Sequence, residues 1–147
     1  MELERSIVGE ILSGRQLSHP VILCFSTGPE IPKFASPMAR SPTPAGGVIF
    51  KEGFADQLAA AMNTNPAVHD GAIMLLRPAP SHKYQVAGWS YRLFPPPGAT
   101  APPNRGTAFN SCLAMSEIPT VDGLFLLATS GAWKFALGKF EEVYFAP

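Results

Sequence analysis

Proline is concentrated in two stretches of this 147-residue chain, and together they fix where regular structure can form. Residues 26–47 carry Pro29, Pro32, Pro37, Pro42 and Pro44 among small and polar residues, and a second cluster runs from Pro95 to Pro103. Proline lacks the amide hydrogen that helices and ladders use, so both stretches are expected to be loops. A loop as long as 26–47 inside a compact domain is commonly functional or mobile.

Between these stretches the apolar periodicity assigns elements. Leu3, Ile7, Val8, Ile11 and Leu12 recur at helical spacing with Gly14 as a stop, which predicts an amphipathic helix over 2–13. The apolar run Val21-Ile-Leu-Cys-Phe25 after Pro20 predicts a buried strand. Residues 48–50 suggest a short edge strand, and 54–62 hold strong helix formers, closed by Asn63-Thr-Asn-Pro66. Residues 72–76 and 84–93 read as strands joined by a turn at 78–83. A helix is expected over 108–117, strands over 123–129 and 132–137 around a turn at Ser130-Gly131, and a last strand over 141–145. The elements intermix without a strict βαβ rhythm. The expected fold class is therefore α/β (α+β): a mixed central β-sheet flanked by helices in a single domain, residues 1–147, with an N-terminal helical segment at 1–18.

Composition narrows the partners. At 46% hydrophobic the chain can bury one full core. Eleven Lys and Arg balance eleven Asp and Glu, which argues against non-specific binding of nucleic acid or an acidic membrane. No apolar run approaches the roughly 20 residues that span a bilayer, and Met1-Glu-Leu-Glu-Arg-Ser does not resemble a secretory signal. Cys24 and Cys112 have no CxxC or Cys/His neighbours and read as buried reduced thiols, so a cytoplasmic location is expected. His19, His69 and His82 lack metal-ligand spacing.

Three motifs in order carry a family resemblance. His69-Asp70-Gly71-Ala72 follows a helix and opens a strand; Gly106-Thr107 opens a later helix; Ser116-Glu117 closes it. Gly88 lies in the strand between, and Ser130-Gly131 in the late turn. Over residues 19–140 this pattern resembles the diadenylate cyclase (DAC) domain, related to the N-terminal domain of DisA. The family pattern has Asp-Gly-Ala, then Gly-Thr-Arg-His-Arg, then a Ser-Glu-Glu-Thr-Gly turn. Here Ala108-Phe-Asn110 stands in place of Arg-His-Arg, and Ala128-Thr-Ser-Gly131 in place of the late turn.

The resemblance implies a DAC-like fold and a site in which Asp70 serves metal and ribose while the helix start holds phosphates. Joining two ATP molecules depends on positioning and on stabilising negative charge, so loss of two arginines removes orders of magnitude in rate. The expectation is a catalytically inactive DAC-like domain that binds a nucleotide or nucleotide second messenger, such as cyclic di-AMP, as a sensor. Its ligand-binding residues would be Asp70, Gly71, Ala72, Gly106, Thr107, Phe109, Asn110, Ser130 and Gly131. No cofactor is required in that reading. The alternative is a weak diadenylate cyclase using Mg or Mn at Asp70, with Arg105 on phosphate, working as a homo-oligomer. A further alternative is a protein-interaction module that has lost the pocket.

The residues also admit plainer roles. Asp70 in His-Asp-Gly fits a turn, Thr107 fits a helix N-cap, and Phe109 fits core packing as well as a face on which a base stacks. Arg77, Arg92 and Lys134 are weaker phosphate candidates, and Trp89 and Trp133 read as core or interface. A sensor of this size would act through a separate effector protein or through oligomerisation.

Overall fold

The computed structural model describes residues 2–14, 19–94, 105–129 and 131–143. In chain order it contains α1 (Glu2–Gly14), β1 (Val21–Thr27), β2 (Ala35–Pro37), α2 (Phe54–Thr64), a 3₁₀ turn (Pro66–His69), β3 (Ala72–Arg77), β4 (Gln85–Leu93), α3 (Thr107–Met115), β5 (Val121–Ala128), β6 (Gly131–Ala136) and β7 (Lys139–Val143). The seven strands form one sheet in the order β2-β4-β3-β1-β5-β6-β7. Among the described residues only β1 and β3 pair in parallel; the other pairings are antiparallel. The mixed α+β sheet flanked by helices agrees with the expected fold class.

The central strand β1 shows why the sheet is covered on both sides. Val21, Leu23 and Phe25 face one apolar cluster, while Ile22 and Cys24 face the other, as the two-residue period of a strand requires. On the first face α1 contributes Ile7, Val8 and Ile11, and α2 contributes Phe54, Leu58 and Ala61, each at helical spacing. Phe25 is the hub there, with edge-on contacts to Phe50 and Tyr84, both at 5.0 Å between ring centres. On the second face α3 lays Phe109, Cys112 and Leu113 against Ala72, Met74 and Leu124.

Several boundaries differ from the sequence expectation. The 26–47 loop contains β2, which pairs Ala35 with Leu93 and Pro37 with Tyr91 at the sheet edge. Residues 48–50 form no strand, only a bridge between Ile49 and Gln85. β5 starts at Val121 because a bulge opposite Phe25 and Ser26 absorbs Asp122. α3 runs over 107–115 and its N-cap is Gly106, without a side-chain cap, so Thr107 is the first helical residue and not the cap. The final strand begins at Lys139, two residues before the expected start, set by the tight turn at Leu137-Gly138, and residues 144 and 145 lie outside the described residues. Among the described residues no helix is long and apolar enough to cross a membrane.

Candidate functional site

The entry to β3 is built by local geometry. Asn65 accepts from Ala67 N through its side chain at 3.0 Å, and Pro66 starts the 3₁₀ turn. The turn ends at Asp70, in extended backbone, and Gly71 then adopts φ +82°. A β-carbon at Gly71 would lie 2.5 Å from both the Met38 methyl and the Tyr91 carbonyl oxygen. Glycine is thus required twice, by conformation and by close approach. Ser90 donates to the Asp70 carbonyl at 2.6 Å, fastening the turn to β4.

The Asp70 carboxylate itself is 65% exposed and is held by Arg40, whose Nη2 lies 2.9 Å from Oδ2. Arg40 also donates from Nε to the Ala67 carbonyl and from Nη1 to the Ala39 carbonyl. Arg40 belongs to none of the three motifs. Its partner is thirty positions away, and the only sequence signal was a charged residue in a stretch dominated by proline and small side chains.

At the start of α3 the backbone amides are uncapped by any side chain. Phe109 points into the second core cluster, edge-on to Phe135 and to Phe140 at 4.9 Å and near Trp133 at 6.2 Å. Its ring is therefore packed as core. The Arg105 guanidinium lies 4.6 Å from the Phe109 ring centre and 5.7 Å from that of Phe140, a cation over aromatic faces. Asn110 donates to the Arg105 carbonyl at 3.5 Å, and its Oδ1 is buried with no hydrogen-bond partner among the described residues. Thr107 is exposed.

Ala72 and Phe109 share one buried cluster with Trp133 packed against it, so the entry of β3, the start of α3 and the start of β6 meet on one face of the sheet. Gly131 opens β6 with φ +150° and approaches the Trp133 ring and the Glu142 carboxylate. Ser130 lies outside the described residues. Ser116 has a structural duty: it donates to the Leu113 carbonyl and accepts from Gly138 N, tying the end of α3 to the β6–β7 turn. Among the described residues, no group of three or more His, Cys, Asp or Glu side chains could hold a metal ion.

A second polar cluster closes the far end of the sheet. Tyr84 donates to Asp122 Oδ2 at 2.7 Å, Thr27 donates to the same oxygen, and Arg77 donates from Nε to Thr27 at 2.8 Å while its guanidinium lies over the Tyr84 ring at 4.4 Å. Arg77 is thus committed to this network. Burial, and then the bond to Asp122, pushes the Tyr84 hydroxyl pKa up. Cys24 is pushed up to about 12 by burial and, secondarily, by the Asp122 charge. Burial raises Cys112 as well, with Cys24 as the smaller cause. Both thiols are free and buried.

No protein-family model and no curated protein matches the chain. Solved structures do. A hypothetical membrane-spanning protein from Bacillus cereus superposes with a TM-score of 0.66 at 13% identity, over 95% of this chain and 61% of that one. This chain therefore spans less than two thirds of that structure. DacA from Staphylococcus aureus, as a double mutant, superposes with a TM-score of 0.53 at 14% identity, over 95% of this chain and 82% of that one. At such identities the likeness is one of fold.

Proposed function

We propose that this chain is a catalytically inactive relative of the diadenylate cyclases that binds a nucleotide or nucleotide-derived second messenger and acts as a sensor. The observation that carries the reading is the Arg40–Asp70 ion pair. The carboxylate that the resemblance assigns to metal and ribose is neutralised by a cation of the chain itself. The helix opposite offers amides but no cationic side chain at positions 108–110. A helix start of this kind favours an anion without supplying the charge that phosphoryl transfer needs.

Asp70 Oδ1, Gly71, Gly106, Thr107, Asn110 and Gly131 would line the ligand, with the buried Ala72 behind them. Phe109 would support the wall from behind. Asn110 Oδ1 is a buried acceptor with no hydrogen-bond partner among the described residues. In this reading binding needs neither Mg nor Mn, and output passes to a separate effector protein or through oligomerisation.

Thermal unfolding with ATP and cyclic di-AMP, with and without Mg or Mn, tests the reading. A native-state ligand at 100 times its Kd adds about 2.7 kcal/mol. The expected result is a metal-independent rise in Tm that Asp70→Asn or Thr107→Trp removes, with no product from ATP. Metal-dependent turnover of ATP would instead establish a weak cyclase. The absence of any nucleotide effect would leave the interaction module.

A further inference from the structure

The sheet ends at β7, and among the described residues no strand lies beyond it. The turn Leu137-Gly138 joins β6 to β7 with both residues at positive φ, and the pairing runs without a shift from Ala136 with Lys139 to Ala132 with Val143. A two-residue turn of this kind closes on a hydrogen-bonded pair. Lys139 and then Glu141 therefore turn their backbone groups toward β6, and Phe140 between them turns its N–H and C=O to the open edge.

The side chains along this edge divide between the two faces of the sheet. Phe140 lies on the α3 side, 4.9 Å from Phe109 and 6.4 Å from Phe135 between ring centres. That row of rings stops at the edge, where Phe140 is 40% exposed. Lys139 and Glu141 lie on the opposite face with Val143. Both are exposed, and neither is in a salt bridge among the described residues.

Backbone direction and charge together select a partner. In an antiparallel pairing of this edge with itself, outward residues must face outward residues, so the two-fold axis falls on a residue and not between two. An axis at Lys139 sets lysine against lysine, and an axis at Glu141 or Glu142 sets glutamate against glutamate, each a repulsion directly across the strands. The axis at Phe140 instead sets Lys139 opposite Glu141 of the second copy, twice over. It bonds the Phe140 backbone to its counterpart, lays the two Phe140 rings side by side and brings Leu137, 84% exposed at the hairpin tip, level with Val143 of the second copy. Charges that keep foreign strands from a sheet edge thus fit a second copy of this chain.

We infer that β7 is a self-association edge: two copies join through antiparallel β7 strands about a two-fold axis at Phe140, continuing the sheet from one to the other. Gly138 N is already given to Ser116 Oγ, so the pairing is short and the dimer belongs to the weak, exchanging class. The inference concerns the sheet edge and does not rest on the nucleotide reading.

Analytical ultracentrifugation of the full chain over a concentration series tests it. The expected result is a monomer–dimer equilibrium that salt weakens. Lys139→Glu and Glu141→Lys each set like charges opposite one another and should weaken the dimer at least tenfold. An equimolar mixture of the two variants, or both changes in one chain, restores opposite charges and should restore the dimer. Circular dichroism confirms that each variant is folded, as substitutions at exposed positions should be. A chain that stays monomeric at every concentration, a dimer that survives Lys139→Glu, or single variants that mixing does not rescue would overturn the inference.

Discussion

Tyr84 and Asp122 meet across 2.7 Å, joining the approach to β4 to the bulge that begins β5. Asp122 Oδ2 accepts from Thr27 as well and sits 3.8 Å from Arg77, so one carboxylate oxygen collects three partners from three strands or their ends. Tyr84→Phe removes one bond to a charged acceptor and should cost about 1.5 kcal/mol. Asp122→Ala leaves the other groups without an acceptor and should cost about 3 kcal/mol. Urea unfolding of the two variants checks the order; equal losses would mean that the network adds nothing beyond the single bond.

The same cluster sets the alkaline limit. Tyr84, Cys24 and Cys112 all have folded pKa values raised above their unfolded ones. Their contribution to stability is complete below the unfolded values, about 8.5 for a thiol and about 10 for tyrosine, and is lost as pH climbs from there through the folded values. Tm should therefore fall above about pH 8.5. The double variant Cys24→Ala/Cys112→Ala should flatten the first part of that fall, as read by calorimetry across pH 7 to 11. In the native protein at pH 8 neither thiol should react with a disulfide reagent, while denaturant should release both.

Two glycines separate side-chain from backbone obstruction. Gly88→Ala collides with the Tyr91 ring, so adding Tyr91→Ala should restore much of the lost stability. Gly71→Ala collides with the Tyr91 carbonyl as well as with Met38 and also takes an unfavourable φ, so Met38→Ala should not rescue it. Melting curves of the single and double variants decide this. Rescue at position 71 would show that the backbone there yields.

Phe109→Ala opens a hole among Phe135, Phe140 and Trp133 and should cost about 3 to 5 kcal/mol. Arg105→Ala removes an exposed cation from the face of the buried Phe109 ring and should cost about 0.5 to 1 kcal/mol. A Phe109→His variant, which restores the residue type of the resembled motif, should unfold at lower temperature without gaining turnover of ATP.

Where the chain announces its own local rules, the sequence was enough. Leu58 and Ala61 betray a helix face, and the unbroken run from Val21 to Phe25 betrays a strand buried on both sides. Ala35-Ser-Pro37 has no strand character of its own and becomes β2 only because β4 offers an edge. The expected strand starts at Gly123, and it reaches back to Val121 only because tertiary pairing absorbs Asp122 in a bulge. The site divides in the same way. Motif order singles out Asp70, Gly71 and Thr107 as candidates, but the pairing of Arg40 with Asp70 depends on how a proline-rich arch closes in space. Whether Phe109 faces a ligand or the core depends on rings supplied by β6 and β7.

The position of β1 has a consequence for how the chain comes together. Its parallel neighbour β3 begins some fifty residues downstream and its antiparallel neighbour β5 about a hundred, with Ile22 paired to both Ala72 and Leu126. The middle of the sheet is thus made of distant encounters, which slow folding. Until residues 121–128 are synthesised, Val21-Ile-Leu-Cys-Phe25 has one flank bare, an apolar strand with free backbone groups and no proline or charge to protect it. Truncation before β5 should therefore yield not a smaller soluble domain but an aggregate seeded by the strand that is most deeply buried in the finished protein.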